Sequence, residues 1–483
     1  GFITIIFLFW CLAHKIRLSN SLVLPANIAP TIVSKFPLII LKYFNLCILY
    51  KKIKVINKIR IFMNNGTKLR LKCHKILFKI YNSRTTIDKI FSNDEKERLS
   101  SRDIAFIHNV CLNTMRYYYH AKKILSNYID NKTKLDAQIL LFSAVTQIVF
   151  LNFKEYAVVN SSVEVGKILK IHTGFVNASL RKIISQKNLL KKIKVNFEDL
   201  PAWFKEQTIN FNNLEKENFI KNFYEEPSLH LVFKNKNYKN IFNEEIYSTS
   251  DRSGFLINKK KIENIHQYED GSWWVQDFSS SLPLININEK ILGKNCFDMC
   301  AAPGGKSFQI LSKKRNLTLN DISKKRILTL EKNLKRLNFK AKITNLDFEK
   351  IDESKKYDFI VVDAPCSSIG TIRKNPELLF RKVEPNIVKL IRTQKLMLNK
   401  ASKMLNKNGA ILYMVCSFLK IETLDQIDIF LKKNKNFIVG KLFTTNNNDF
   451  VKGFVKNDIL STLPSKVNEY KVDGYFAVLL KNC

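Results

Sequence analysis

The sequence predicts an open α/β domain with a mostly parallel sheet in its C-terminal half, preceded by an all-α domain. Three observations carry this. From Leu292 onward, short apolar runs alternate with amphipathic helical patterns. From about Thr67 to Ile184, apolar residues recur at three- and four-residue spacing, with few glycines and no strand alternation. The chain has 483 residues, 46% of them hydrophobic, which is length and apolar content enough for two or three cores.

In chain order, residues 1–62 contain no Asp, Glu or Met, and the first methionine is Met63. The opening "GFITIIFLFWCLA" is too short to span a bilayer. The segment reads as translated upstream sequence or as a targeting segment. The helical region then runs through "RDIAFIHNVCLNTMRYYYHAKKIL", where Ile104, Ile107, Val110, Cys111 and Met115 share one face. "LDAQILLFSAVTQIVFL" is apolar all round, which predicts a helix at the bundle centre. "VNSSVEVGKILKI" follows, with Ser161 or Ser162 as its expected N-cap, and "GFVNASLRKII" continues helical from Gly174. Residues 191–290 form a connector and a small mixed subdomain. In it "LHLVFKNKN" and "SGFLINKKKIENI" alternate like strands, and "EDGSWWVQDFSSSLP" reads as a turn, a strand and a polar loop.

The last region, 291–483, reads as strand "CFDM", a helix opening at "GGKSFQILS", strand "LTLND", helix "SKKRILTLEKNLKRL" and strand "AKITNLD". Strand "YDFIVVDAP", helix "NIVKLIRTQKLMLNKASKML", strand "GAILYMVCS", helix "ETLDQIDIFLKK" and strand "GYFAVLLKN" complete it.

The formal net charge of +38 favours a polyanionic partner, most simply nucleic acid. A biased base composition, rich in Lys, Asn and Ile, would also raise it. The nine cysteines include no C-x-x-C pair, which excludes zinc-ribbon spacing. An odd, scattered set in a chain this long points to free thiols in a reducing compartment. No P-loop pattern is present.

Chemistry concentrates at the strand ends. In "FDMCAAPGGKSF", Gly304 and Gly305 let the backbone approach a ligand at a helix start. Asp321, Asp347 and Asp363 end successive strands, so together they line one rim of the sheet, where open α/β folds bind ligands. Each alone would read as a helix cap. Cys366 follows Asp363 by three residues, and Cys416 ends the next strand. Cys73, Cys111 and Cys296 read as small buried hydrophobes. The two thiols on the ligand rim do not.

These motifs carry a family resemblance. "DMCAAPGGK", "DAPCSSIGTIRKNPE", "MVCS", "WVQDFSS" and "DGYFAVLLK" resemble the motifs of the Fmu/Sun (RsmB-type) RNA cytosine-5 methyltransferases. "DIAFIHNV", "AVTQIVFL", "AVVNSSVEVGK" and "GFVNASLRK" resemble that group's NusB-like RNA-binding domain, as in the bacterial small-subunit rRNA enzyme. The resemblance runs from about residue 67 to the C-terminus.

It implies a NusB-like domain over 63–190 and a Rossmann-like, S-adenosylmethionine-dependent methyltransferase domain over 291–483 with a seven-stranded sheet. Cys416 would be the nucleophile, Cys366 the residue for product release, and Asp363 would hold the cytosine edge. Cys300, Ala301, Ala302, Pro303, Gly304, Gly305 and Lys306 would form the S-adenosylmethionine loop. Asp321 would bind the ribose, Asp347 the adenine side, and Asp363 the methionine end. Lys306 would help keep the site electropositive, and Arg373, Lys374 and Asn375 would meet RNA. The resemblance further implies small-subunit rRNA as substrate, no metal, no membrane, a monomer and a cytoplasmic location. The sequence departs from the family at Val415, where Thr is usual, and in "FLKIET", which lacks the usual Pro and Asn.

Overall fold

The helical face read over Arg102–Leu125 folds as two helices rather than one. In the computed structural model, which describes residues 64–90, 99–130, 132–236, 238, 242–258, 260–443 and 453–483, helix α1 spans Asn65–Tyr81. Helix α2 (Ser101–Arg116) is capped by Ser100, whose side chain accepts from the Asp103 N–H. It stops at Tyr117, and α3 (Tyr118–Leu125) continues from there. Ile107, Val110, Cys111 and Met115 are buried as their spacing predicts. The segment expected to precede this domain lies outside the described residues.

Helix α4 (Leu135–Val145) runs into a π-helical turn at Thr146–Phe150. It is buried from Ile139 to Val145, as an all-round apolar helix must be. Helix α5 (Glu155–Ile168) begins before the expected serines. Ser161 and Ser162 are therefore interior and buried, and neither caps it. Val158 and Val159 extend the apolar face N-terminally, and Ser161 Oγ instead accepts from Arg70 Nη1 at 3.4 Å. His172 caps α6 (Thr173–Ser185), with Nδ1 accepting from the Phe175 N–H.

In the connector, Asn212 and Glu215 form a capping box on α7 (Asn213–Asn222). A four-stranded antiparallel sheet follows, made of β1 (His230–Phe233), β2 (Ile246–Ser250), β3 (Ser253–Leu256) and β4 (Trp273–Val275). The stretch after β4, read as a polar loop, is helix α8 (Phe278–Ile285). Ser280 and Ser281 donate locally to the Asp277 and Phe278 carbonyls, and Ser279 donates to the Asp473 carbonyl at 2.8 Å. Phe278, Leu282 and Leu284 are buried.

The C-terminal sheet is built from β5 (Asn295–Asp298), β6 (Asn316–Asn320), β7 (Lys342–Thr344), β8 (Tyr357–Asp363) and β9 (Leu405–Val415), all parallel in the order β7-β6-β5-β8-β9. Between them lie α9 (Gly305–Leu311), α10 (Lys324–Arg336) and α11 (Ile387–Lys403), with α12 (Leu424–Lys433) after β9. The strand order reverses at β5, so the carboxyl ends of β5 and its neighbours form the crevice where such sheets bind ligands.

Among the described residues the sheet has nine strands, not seven. The last strand (Tyr475–Asn482) pairs antiparallel with β9, and its outer edge is shared by Phe437–Gly440 and Ile459–Thr462. Val455–Lys456 lies beyond. These strands are two to four residues long and too short to show alternation in sequence. No helix among the described residues is long and apolar enough to cross a membrane.

Residues 69–483 form one compact unit, in which the segment after Cys366 is threaded into the helical domain. Phe380 packs edge-on against Tyr81 and Tyr118. Tyr119 donates its hydroxyl to the Leu379 carbonyl at 2.7 Å, and Arg116 donates to the Arg373 carbonyl at 2.9 Å.

Arg373, expected at an RNA surface, is instead fully buried. Its guanidinium donates to the carbonyls of Asn222, Ser465 and Val472 at 2.9, 2.9 and 2.6 Å. A rigid five-donor fork suits three acceptors from separate segments, which is why an arginine sits there. Arg373→Ala strands these carbonyls and should cost at least about 3 kcal/mol, seen as a lowered urea midpoint. A loss of RNA affinity with unchanged stability would contradict this reading.

Candidate active site

Each sequence-predicted site residue has a defined place. Asp363 is the last residue of β8, and Cys416 directly follows β9. Because β8 and β9 are parallel neighbours in register Asp363↔Met414, their following loops emerge side by side. This brings Cys366 Sγ to 3.4 Å from Cys416 Sγ, although the residues are 50 apart in sequence. Ser368 Oγ lies 3.5 Å from Cys416 Sγ. Gly370 N–H donates to the Cys416 carbonyl at 3.1 Å, and a Cβ at Gly370 would meet the Gly474 carbonyl oxygen at 2.0 Å, so only glycine fits.

Lys306 reaches the same spot, with Nζ 2.7 Å from Asp363 Oδ2 and 5.5 Å from the centroid of the Tyr475 ring. Tyr475 donates its hydroxyl to Asp363 Oδ1 at 3.3 Å. The two thiols are electrostatically unlike. Hydrogen bonding from Cys366 holds Cys416 below the ordinary thiol range, helped by Ser368 and the Lys306 charge. The same contact, together with burial, pushes Cys366 well above it. Burial opposes the Lys306 charge, but the adjacent Asp363 carboxylate prevails and raises its pKa. The contact therefore favours the thiolate form at Cys416 over Cys366, with the Lys306 ammonium close by.

The stretch Cys300–Lys306 runs from the loop after β5 into the first turn of α9, on the same rim. Gly304 adopts φ +119°, and a Cβ there would lie 2.0 Å from Phe308 Cζ. Ala301 N–H donates to the Asn320 carbonyl at 2.8 Å, and Ala302 N–H donates to Asp321 Oδ2 at 3.2 Å. Asp321 is buried and also pairs with Arg326, whose side chain is half exposed. Asp347 lies beyond β7, where it caps the Glu349 N–H at 3.1 Å. Burial pushes the Cys300 thiol up.

The structure does not place all expected residues at this rim. Arg373 is in the interior, and Asn375 bonds Thr371 Oγ1 at 2.8 Å. Lys374 is ion-paired to Asp473 at 2.8 Å and to Asp277 at 3.3 Å. Val415 is buried with Ile411 and Tyr413 in an apolar cluster, so the residue where the family usually has Thr packs into the core.

Sequence reasoning missed Asp298, Tyr475 and Glu422. Asp298 ends β5 and accepts from Ser307 Oγ at 2.6 Å, and burial pushes its pKa up to about 7. The acid in "CFDM" was the available signal. For Tyr475, the aromatic after "DG" was the signal; for Glu422, nothing in the local pattern pointed to it. A cavity of about 650 Å³ lined by Lys290, Asp358, Lys407, Lys441 and Lys481 lies where β5, β8 and β9 begin, away from the thiols.

A parallel sheet that reverses at β5, with a glycine loop and acids along its carboxyl edge, is the layout in which open α/β enzymes bind a nucleotide-type cofactor, the class that includes the S-adenosylmethionine-dependent methyltransferases. The comparisons with known proteins agree. Residues 287–481 match the model of the 16S rRNA methyltransferase RsmB/F family, and residues 67–185 match that of the NusB family. Region 287–481 is thus similar to the RsmB/F methyltransferases, and region 67–185, ahead of it, to the NusB family.

Ribosomal RNA small subunit methyltransferase B of Shewanella oneidensis is 26% identical over 392 residues, covering 76% of this chain and 90% of that protein. The Pasteurella multocida protein of the same name is 26% identical over 374 residues, covering 71% of this chain and 82% of that protein. The solved structure of PH0851 shares the fold with a TM-score of 0.61 at 18% identity, over 87% of this chain and all of that one.

Proposed function

We propose that this protein methylates carbon 5 of a cytosine in RNA, within small-subunit rRNA, through a transient bond between Cys416 and the base. The observation that carries this is the pair of sulfurs 3.4 Å apart on the ligand rim, with Cys416 favoured as thiolate and Cys366 as thiol. The S-adenosylmethionine-binding residues would be Cys300–Lys306, Asp321, Asp347 and Asp363. Gly304 at φ +119° opens the loop backbone, and carboxylates supply acceptors for ribose hydroxyls, so the donor set fits the group. When bound, S-adenosylmethionine supplies an electrophilic methyl group.

Cytosine carbon 5 is a weak nucleophile. Addition of the Cys416 thiolate at carbon 6 makes it enamine-like and able to take the methyl. Asp363 faces the cytosine edge near ring nitrogen 3, where a proton offsets the charge created by addition. After methylation, the carbon 5 proton passes to solvent water, its bonding pair restores the carbon 5–carbon 6 double bond, and the carbon 6–sulfur bond breaks to release the Cys416 thiolate. Cys366, in contact with that sulfur, assists this step. The target base must leave its stack to reach the sulfurs, which favours looped or single-stranded RNA. The helical region 63–190 and the connector 191–290 would hold that RNA through its phosphates. We place the protein in the cytoplasm as a monomer.

The test is bisulfite sequencing of small-subunit rRNA from cells with and without the gene. One cytosine should lose protection when the gene is absent. An unchanged protection pattern would overturn the substrate assignment.

A further inference from the structure

Glu422 lies in "FLKIET", the stretch that departs from the family pattern, and its side chain is wholly buried. Its oxygens are met by neutral donors. Oε1 accepts from the Ser367 N–H at 2.8 Å and from Gln394 Nε2 at 3.1 Å. Oε2 accepts from Ser367 Oγ at 2.5 Å. Ser367 Oγ also lies 3.2 Å from Ser417 Oγ, which in turn accepts from the Leu419 N–H at 3.2 Å. The Gln394 amide donates to the Pro365 carbonyl as well, at 3.0 Å.

The sequence positions give this network its meaning. Ser367 directly follows Cys366, Ser417 directly follows Cys416, and Pro365 directly precedes Cys366. One carboxylate thus closes a bridge between the two loops that carry the thiols. The Tyr413 hydroxyl donates to the Glu422 carbonyl at 2.8 Å, tying its backbone to β9 as well. Burying a polar side chain costs free energy unless its hydrogen bonds are met, and a fold that needed only packing here would use an apolar side chain. A side chain that accepts hydrogen bonds from several segments at once fixes the geometry of the loops it joins.

We propose that Glu422 is a positioning residue that anchors Ser367 and, through Ser417, keeps the sulfurs of Cys366 and Cys416 in contact. It touches neither sulfur. The inference rests on the reading of the two cysteines given above, and the test separates the two.

The experiment compares the wild type with Glu422→Ala, Glu422→Gln and Ser417→Ala. Three quantities are measured: thermal melting, steady-state methyl transfer, and the rate at which diamide joins residues 366 and 416 in a disulfide. Diamide takes up the two electrons and two protons released by the thiols, so this rate reports sulfur contact without RNA. A shift of about 1 Å in reacting groups costs up to about 10²-fold. Glu422→Ala should therefore slow both disulfide formation and kcat by about tenfold or more, with KM for RNA and S-adenosylmethionine changed less than about twofold.

Glu422→Gln keeps the shape and the Ser367 N–H bond, and should restore both rates to within about threefold of wild type. Should Glu422→Ala not fold, Ser417→Ala breaks the bridge on the Cys416 side, and disulfide formation should still slow. A lowered melting temperature with disulfide rate and kcat unchanged would mean a merely structural role and overturn the proposal. Slower disulfide formation with unaltered methyl transfer would support the positioning role and contradict the two-thiol reaction instead.

Discussion

Replacing Cys366 with alanine is expected to trap RNA on the enzyme, while replacing Cys416 with alanine is expected to abolish the adduct. Cys416 is the sulfur held below the ordinary thiol range, so it is the one we propose as the nucleophile toward carbon 6. Without it the ring is not activated, and kcat should fall on the order of 10⁴-fold or more, as when other covalent nucleophiles are removed. Without Cys366, addition and methylation can proceed but breakdown of the adduct is unassisted. A denaturing gel with labelled RNA should then show one slowly migrating band in Cys366→Ala and none in Cys416→Ala. The reverse pattern, as in enzymes whose nucleophile lies in a Pro-Cys motif, would reassign the roles.

The second large effect is expected at Asp363, and its value lies in two readouts moving oppositely. The Asp363 carboxylate raises the Cys416 pKa, and Lys306, now bound to Asp363 at 2.7 Å, lowers it. Asp363→Asn removes the first influence and frees the second. The midpoint of iodoacetamide alkylation at Cys416 should shift to lower pH, and more thiolate should be present at pH 7. Below that midpoint the rate falls about tenfold per pH unit, as thiolate is protonated. Turnover should nonetheless drop by about 10²- to 10³-fold, or about 3–4 kcal/mol, because the group proposed to meet the cytosine edge is lost. If turnover rose with the thiolate fraction, Asp363 would have no role toward the base.

The parts of the site legible in sequence were those held by residues near one another in the chain. Gly304 and Gly305 sit in one loop, and Asp363 and Cys366 in another. Cys416 joined them because parallel strands must end on a common edge, a rule of topology that alternating elements already imply. What escaped were long-range polar contacts. Arg373 is expected to meet RNA from the family resemblance of "TIRKNPE", yet its acceptors lie 151, 92 and 99 residues away. No local period encodes such partners. Glu422 escaped for the same reason, since Ser367 precedes it by 55 residues. The caps expected at Ser161 or Ser162 failed differently. Serine favours helix starts, but a buried serine can also satisfy a neighbour, as Ser161 does for Arg70. The break between α2 and α3 left no trace, because the apolar spacing continues across Tyr117.

The most direct test of the central claim is to map the attachment point on the protein. The enzyme is incubated with S-adenosylmethionine and RNA carrying 5-fluorocytidine, which cannot release a proton from carbon 5, and then digested for tandem mass spectrometry. A pyrimidine attached to the peptide containing Cys416, with Cys366 unmodified, is the predicted result. Attachment at Cys366, or no attached base at all, would contradict it.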